Sequence, residues 1–271
     1  MQTDPVSYVV IGRAMQVHRE LGPGLDEIFY HELLAARLRE AGIEHLFKPR
    51  SSLQHRGRVA DVFEPDLVLP AHSVLELKAL WGAFPPESFV QLKSYLKFYR
   101  LGQGYLFDFG KESLVTKSYL FADAPCPPGN FQESLPPGLE QADHAVAAQL
   151  GAGISRISQE HGLGYRDTTY RGLLLADLLA DGLACEPEPS ALIQSATTRL
   201  GPARLPCLAV ERCCAVLVLS QRDSIRAADR AIVQTALRWL GYRLGLIAHF
   251  GKHAVELQWV TPQRSAGAIT A

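Results

Sequence analysis

The residues with the clearest chemical potential are Asp66, Glu76 and Lys78, which interrupt an otherwise apolar stretch. Two short apolar runs, 66–69 and 74–77, flank a turn-forming Pro-Ala-His-Ser segment, and this pattern predicts a β-hairpin. Strand alternation puts Glu76 and Lys78 on one face. With Asp66 on the paired strand, two carboxylates and one ammonium would meet. Such a set can hold a hard divalent cation and orient a water molecule.

A plainer interpretation is that Glu76 and Lys78 belong to a solvated strand face, with Asp66 near a turn. Charged residues on an exposed face are the rule in soluble proteins. The spacing alone leaves both interpretations open, and the rest of the chain has to favour one of them.

Composition and charge limit the classes of protein to which the chain can belong. The chain has 271 residues, 47% of them hydrophobic, and a net charge of -1, which suits one large or two modest domains. This charge gives no global attraction to nucleic acid or to an anionic membrane. No apolar run reaches the roughly 20 residues of a spanning helix, and no signal peptide is recognisable, so we expect no membrane segment and a cytoplasmic location. The five cysteines, among them Cys126, form no Cys-x-x-Cys pair, so they indicate neither a disulfide framework nor a zinc site.

Two amphipathic helices are predicted before the hairpin, over 7–21 and about 26–41, separated by a Gly-Pro-Gly breaker. Glu27 and Tyr30 are three apart on the second helix and therefore share a face. Taken alone, Glu27 is typical of a helix N-terminus and Tyr30 of a half-buried aromatic residue.

The remaining elements of the first half are two strands within 43–60, a helix over 87–100 and two closing strands within 104–121. This order is an α/β (α+β) pattern. Lys93 and Lys97 belong to a basic ridge on the helix, which is either a solvated face or a surface for phosphate groups.

The second half repeats the first. A Pro/Gly-rich linker at 122–143 separates a domain at 1–121 from one at 144–271. A glycine-turn and tyrosine pattern recurs at an offset of 140, and an aromatic-glycine pattern at an offset of 141. At these offsets the polar residues of the hairpin become apolar, which indicates a degenerate copy that kept its fold and lost its chemistry. The pairs are Asp66 with Cys207, Glu76 with Leu217, Lys78 with Leu219 and Gln91 with Ile232.

The run 17–30 closely resembles the signature of the GxxExxY proteins, with Gly24, Glu27 and Tyr30 at the named positions. That family belongs to the PD-(D/E)XK nuclease superfamily. Pro65-Asp66 and Glu76-Leu77-Lys78 resemble the two halves of the superfamily signature, and 91–96 resembles the helix that follows. The resemblance covers roughly 5–121.

This resemblance implies a restriction-endonuclease-like mixed central sheet flanked by helices. From the internal repeat we expect this domain to be duplicated in tandem as an intramolecular pseudo-dimer. The resemblance also implies hydrolysis of a phosphodiester in DNA or RNA. Asp66 and Glu76 would bind Mg²⁺ or Mn²⁺ with the carbonyl of Leu77, and Lys78 would orient the attacking water. The further expected site residues are Glu27 as an added acidic group, Gln91 as a holder of water or phosphate, and Tyr30, Lys93, Tyr95 and Lys97 as substrate contacts.

Three functions remain open at this stage. The first is a metal-dependent nuclease with its active site in the N-terminal copy only, in which the degenerate copy replaces the second subunit of a homodimer. The second is a non-catalytic nucleic-acid-binding or scaffold protein, favoured by the balance of 14 basic and 14 acidic residues over 1–121. The third is a hydrolase acting on another phosphorylated substrate.

Overall fold

The protein is described here by a computed structural model that covers residues 4–123, 135–195 and 197–262. Most of the predicted linker, 124–134 with Cys126, lies outside the described residues. The last three positions of that linker are helical, because the fourth helix already begins at Gln141.

Contacts divide the chain into two compact units. The first unit comprises Met1–Leu53 and Val62–Asp123, and the second comprises Gln54–Asp61 and Ala124–Ala271. The segment 54–61 therefore belongs to the second unit, although a sequence-based boundary at residue 121 assigns it to the first.

Six helices and fourteen strands are found in the described residues, none of the helices being both long and apolar enough to cross a membrane. The first ten elements are α1 (Pro5–Leu21), α2 (Glu27–Glu40), β1 (Leu46–Phe47), β2 (Ser51–His55), β3 (Arg58–Phe63), β4 (Leu67–Leu69), β5 (Ser73–Lys78), α3 (Pro86–Tyr99), β6 (Gln103–Asp108) and β7 (Val115–Leu120). The next ten are α4 (Gln141–His161), α5 (Asp167–Ala180), β8 (Cys185–Pro187), β9 (Ser190–Gln194), β10 (Arg199–Arg204), β11 (Leu208–Val210), β12 (Cys214–Ser220), α6 (Ala227–Leu240), β13 (Leu244–Phe250) and β14 (Val255–Val260).

Two mixed five-stranded sheets with the same topology form the centres of the two halves. Their strand orders are β1-β4-β5-β6-β7 and β8-β11-β12-β13-β14, and each half adds a two-stranded hairpin, β2-β3 or β9-β10. In each sheet the third and fourth strands are parallel and the other pairs are antiparallel. With helices packed on these sheets, the architecture agrees with a restriction-endonuclease-like fold.

The two halves also agree in strand register. Leu67 pairs with Leu75 in the first half and Leu208 pairs with Val216 in the second, and both members of the pair differ by 141 positions. The helices α2 and α5 begin 140 positions apart. The two sheet-bearing halves therefore fit a tandem duplication with one inserted residue.

A glycine at the same place in each sheet lets a helix approach closely. A Cβ atom at Gly104 of β6 would lie 2.8 Å from the side chain of Leu92 in α3. At Gly245 of β13 it would lie 2.4 Å from Val233 in α6. Both distances are shorter than real Cβ contacts, so a larger residue at either position would have to displace a side chain of the helix that follows the central strand.

Candidate metal and catalytic centre

The hairpin β4–β5 brings the two predicted carboxylates together, as the alternation of apolar residues indicated. Asp66 immediately precedes β4 and Glu76 lies in β5. The backbone N–H of Asp66 donates a hydrogen bond to Oε1 of Glu76 at 3.1 Å. In return, Oδ2 of Asp66 accepts one from the N–H of Leu77 at 2.8 Å. These two bonds hold both side chains at one end of the hairpin.

Burial excludes the solvated-face interpretation for Glu76, which is only 2% exposed. Nζ of Lys78 lies 3.5 Å from Oε2 of Glu76, and the lysine side chain is 20% exposed. Lys78 thus contacts a buried carboxylate and is also partly exposed to solvent, as expected for a group that contacts a substrate.

The three ionisable groups strongly affect one another. Burial, followed by the charge of Asp66, raises the pKa of Glu76 to about 8. Burial alone would raise the pKa of Asp66, but His31, the Leu77 amide and Lys78 outweigh it and the pKa is lowered. Burial alone would lower the pKa of Lys78, but Glu76, Asp66 and Glu27 outweigh it and the pKa is raised. The centre therefore favours an ionised Asp66 and a cationic Lys78, and Glu76 keeps its proton to a higher pH than an ordinary glutamate does.

His31 is a site residue that the sequence analysis missed. Its Nε2 lies 3.3 Å from Oδ2 of Asp66, and the side chain is only 4% exposed. Neither ring nitrogen has a hydrogen-bond partner of good geometry. The signal was available, because His31 follows Glu27 by four residues on α2 and therefore shares its face.

Glu27 lies at the other side of Lys78. Its Oε1 accepts a hydrogen bond from the N–H of Ala79 at 3.1 Å. Together with Leu80 and Trp81 it lines a cavity of about 460 Å³ between the start of α2 and the end of β5. Trp81 is 94% exposed, so this cavity has an aromatic side chain at its edge.

The loop that carries Trp81 is held by two residues to which the sequence analysis assigned no role. Oδ1 of buried Asp108 accepts from the N–H of Leu80 at 2.9 Å and from that of Gly110 at 3.0 Å. Nζ of Lys111 donates to the carbonyls of Leu80 at 2.6 Å and of Gly82 at 2.7 Å. Asp108 and Lys111 thus fix the chain directly after Lys78.

Gln91 and Tyr95 are connected to the chain just before Asp66. Nε2 of Gln91 donates to the hydroxyl of Tyr95 at 2.8 Å, and that hydroxyl lies 3.3 Å from the carbonyl of Glu64, to which it donates. Tyr95 is 4% exposed, so its contact is with the protein interior. Gln91 and Tyr95, which both lie on α3, thus hold the backbone at Glu64, two residues before Asp66.

The predicted basic ridge on α3 differs from the structure at Lys97. This side chain is 4% exposed and its Nζ donates to Oδ1 of Asp123 at 2.7 Å. Lys97 is therefore an ion-paired residue rather than a phosphate contact, because its charge is already compensated. Lys93 is half-buried on the same helix.

Tyr30 is also placed differently from its predicted role as a substrate contact. It is fully buried and stacks on Phe109, with ring centroids 4.6 Å apart. Its hydroxyl donates to the carbonyl of Gly22 at 2.7 Å and accepts from the N–H of Leu25 at 3.2 Å. Tyr30 closes the turn between α1 and α2, and no part of it is left for a substrate.

The donor set at the hairpin fits a hard divalent cation. Asp66 and Glu76 supply carboxylate oxygens at one point, which such ions prefer. In a strand the N–H and C=O of one residue point to the same side, and the N–H of Leu77 points to Asp66, so its carbonyl is directed there too. Buried His31 lies 3.3 Å from Asp66 and neither of its ring nitrogens forms a hydrogen bond of good geometry, so polar groups at this place are incompletely satisfied.

The second half has none of these carboxylates. At the matched strand positions it has Cys207, Leu217 and Leu219, all buried. The turn residue is kept: the hydroxyl of Tyr170 donates to the carbonyl of Gly162 at 2.7 Å, as Tyr30 does to Gly22. The tyrosine that closes the turn thus recurs in the second half, whereas the ionisable residues of the hairpin do not.

Comparison with known proteins finds a similarity in the first half of the chain. Residues 4–118 match the sequence model of the PD-(D/E)XK nuclease superfamily. The matched range contains every residue of the site, and it ends before the second half begins. No curated protein and no solved structure shows significant similarity to the chain. Residues 4–118 are therefore similar to the domains of the PD-(D/E)XK nuclease superfamily, and this similarity supports a nuclease-like function.

Proposed function

We infer that the chain is a metal-dependent nuclease that hydrolyses phosphodiester bonds of DNA or RNA, with Mg²⁺ or Mn²⁺ at the hairpin of the first half. The observation that carries this function is the pairing of Asp66 with buried Glu76 beside Lys78. A carboxylate pair in a buried position costs free energy in the absence of a cation. A protein that served only as a scaffold would gain by losing it.

In this proposal Asp66, Glu76 and the carbonyl of Leu77 hold the cation. When bound, the cation supplies charge stabilisation for the phosphoryl oxygens and acidifies a water molecule. Lys78 is kept cationic by the carboxylates around it, and its ammonium reaches the surface, where it orients the water and stabilises the negative charge that develops on the phosphate. His31 positions Asp66, and Glu27 fixes the chain after Lys78 through the Ala79 amide.

The cavity between Glu27 and Trp81 is the proposed seat of the nucleotide next to the scissile phosphate. Trp81 is 94% exposed and lines the same cavity as Glu27, whose charge acts on Lys78, and we therefore place a base stacked on the indole next to the ammonium. Stacking of a base on an aromatic side chain contributes about 1–3 kcal/mol. Trp81→Ala should therefore raise KM about tenfold or more and leave kcat nearly unchanged.

The second half keeps the fold without these side chains, and we assign no cleavage to it. GxxExxY membership and the degenerate nature of this copy are part of the same proposal. They rest on the tyrosine turns and on the loss of the carboxylates.

The test is cleavage of labelled single-stranded DNA, double-stranded DNA and RNA by the full chain in Mg²⁺, Mn²⁺ or EDTA. We expect cleavage with either cation, none in EDTA, and a loss of at least about 1,000-fold for Asp66→Asn. Glu44→Gln is the matched control, because Glu44 is an exposed carboxylate outside the Asp66–Glu76 pair. Binding of these nucleic acids without cleavage, equal in wild type and Asp66→Asn, would instead support the non-catalytic binding protein.

A further inference from the structure

A second group of side chains that can bind a metal lies in the second unit. It comprises His55, Glu160 and His161, whose ligand atoms all lie within 4.8 Å of one another. His55 is the last residue of β2 and belongs to the segment 54–61 of that unit. Glu160 and His161 are the last two residues of α4.

The distances within this group match those between ligands of one metal ion. Nδ1 of His55 lies 3.0 Å from Nε2 of His161 and 3.2 Å from Oε2 of Glu160, and the third side of the triangle is 3.9 Å. Tetrahedral zinc with bonds of about 2.0–2.1 Å separates its ligands by about 3.3–3.4 Å. The mean side of the observed triangle falls in that range.

The orientation of the two α4 side chains is unusual. Neighbouring residues of a helix point in different directions, about 100° apart, and do not normally face each other. Here the side chains of Glu160 and His161 both turn to the same nitrogen of His55. The convergence of three donors from two separate elements indicates a common ligand at their centre.

The hydrogen bond on the other side of His55 fixes which nitrogen is available. Nε2 lies 2.9 Å from Oδ1 of Asp177, which is fully buried. An ionised carboxylate only accepts, so Nε2 carries the proton and Nδ1 presents its lone pair to Glu160 and His161. A lone pair that faces a carboxylate oxygen at 3.2 Å is an arrangement that a positive charge between them, such as a bound metal cation, stabilises. A carboxylate behind a histidine is also the usual support of a metal ligand.

Asp177 is itself firmly held. Arg156 donates to both of its oxygens, at 3.1 and 2.6 Å, and Arg56 contacts Oδ1 at 3.4 Å. Gly153 of α4 makes room for it, because a Cβ there would lie 2.5 Å from Oδ2. The charged groups nearby are two arginines and three carboxylates: Arg56, Arg156, Asp177, Asp181 and Glu160. When both histidines are neutral, the group has a net charge of -1, which a bound cation would compensate. The C-terminal end of α4 favours positive charge as well.

We propose that His55, Glu160 and His161 form a zinc site with a fourth position open to water. Two histidines and one glutamate are a common zinc donor set, and three protein ligands leave one position free. The first half has no such group at the matched helix end, where Glu20 pairs with Arg37 at 2.7 Å instead. The site is thus specific to the second unit.

The test uses the full chain with Asp66→Asn and Glu76→Gln, so that the hairpin centre contributes no metal binding. Zn²⁺ affinity is measured by competition with a chromophoric chelator, and Co²⁺ is added to report four-coordinate geometry by its visible absorption. We expect one Zn²⁺ per chain and intense Co²⁺ bands. Glu160→Gln and His161→Gln should each weaken Zn²⁺ binding by about 100-fold or more.

Controls keep this test independent of folding and of the nuclease proposal. His144→Ala removes an exposed histidine from the same helix and should leave Zn²⁺ affinity unchanged. Glu160 is 54% exposed, so its replacement leaves the fold intact even where a His55 variant does not fold. Absence of Zn²⁺ binding at micromolar concentration, or binding that is as tight in Glu160→Gln and His161→Gln as in the parent chain, overturns the zinc site. Neither result bears on cleavage by the Asp66 centre.

Discussion

Asp66 and Glu76 position each other: the Asp66 N–H donates to Oε1 of Glu76 at 3.1 Å, and the Asp66 carboxylate accepts from the residue after Glu76 at 2.8 Å. The geometry of the pair is therefore set by the backbone of the hairpin before any cation binds. Ionisation of Glu76 beside Asp66 is electrostatically unfavourable, because burial and the charge of Asp66 raise the pKa of Glu76 to about 8.

We expect Glu76→Gln to stabilise the metal-free protein at alkaline pH. An acid whose pKa rises on folding binds more protons in the folded state, so stability falls as pH rises from about 4.5 to about 8. The shift corresponds to at most about 5 kcal/mol at pH 9 and to almost nothing at pH 4. Thermal unfolding in EDTA between these pH values should show a Tm advantage of the variant that grows with pH.

Saturating Mn²⁺ should reverse this order, because the cation stabilises only the protein that retains the Glu76 carboxylate. Glu44→Gln should follow the wild type under both conditions, since Glu44 is exposed. An advantage of Glu76→Gln that is independent of pH would contradict the ionisation of a buried Glu76.

Lys78→Met should separate catalysis from metal binding. Removal of one stabilising donor from an active site costs about 100- to 1,000-fold in kcat. Metal affinity should stay equal or increase, because a positive charge 3.5 Å from Oε2 of Glu76 is lost. Single-turnover rates measure the effect on catalysis, and Mn²⁺ titration measures the effect on metal affinity. Lys78→Arg keeps the positive charge, so its rate should lie between those of the wild type and Lys78→Met. A parallel loss of metal binding in Lys78→Met would assign the lysine to the fold of the hairpin.

Tyr30→Phe and Tyr170→Phe should each lower the free energy of unfolding by about 1–1.5 kcal/mol, since each removes a buried hydroxyl donor to a turn carbonyl. The double variant should show nearly the sum, because the two hydroxyls bond within different units. Cleavage by Tyr30→Phe should be unchanged below its Tm. Loss of cleavage without loss of stability would restore Tyr30 as a substrate contact.

The sequence predicted the elements and the hairpin well, since both depend on local signals. Apolar alternation around Asp66 and Glu76 located β4 and β5, and the glycine turn before Glu27 located the start of α2. The repeat offsets of 140 and 141 recur in the element boundaries because one inserted residue shifts everything that follows it.

Side-chain environments were less predictable because they depend on tertiary packing. Tyr30 and Lys97 were predicted as substrate contacts from the family resemblance and from the basic ridge on the helix, but burial against Phe109 and pairing with Asp123 give them other partners. His31 lies beside Asp66 only because α2 packs on the end of the hairpin. No spacing rule connects His55 with Glu160 and His161, which are more than 100 positions away.

The segment 54–61 has a consequence for how the protein is synthesised. His55 leaves the ribosome 122 residues before Asp177, with which it bonds, and Asp61 leaves 105 residues before Arg166. At a synthesis rate of about 5–20 residues per second, the partners of the β2–β3 hairpin tip are synthesised on the order of 10 s after the tip itself. During that interval a histidine that is buried in the finished protein stays in water. Folding of the second unit therefore depends on a piece of chain that was completed long before the rest of that unit existed.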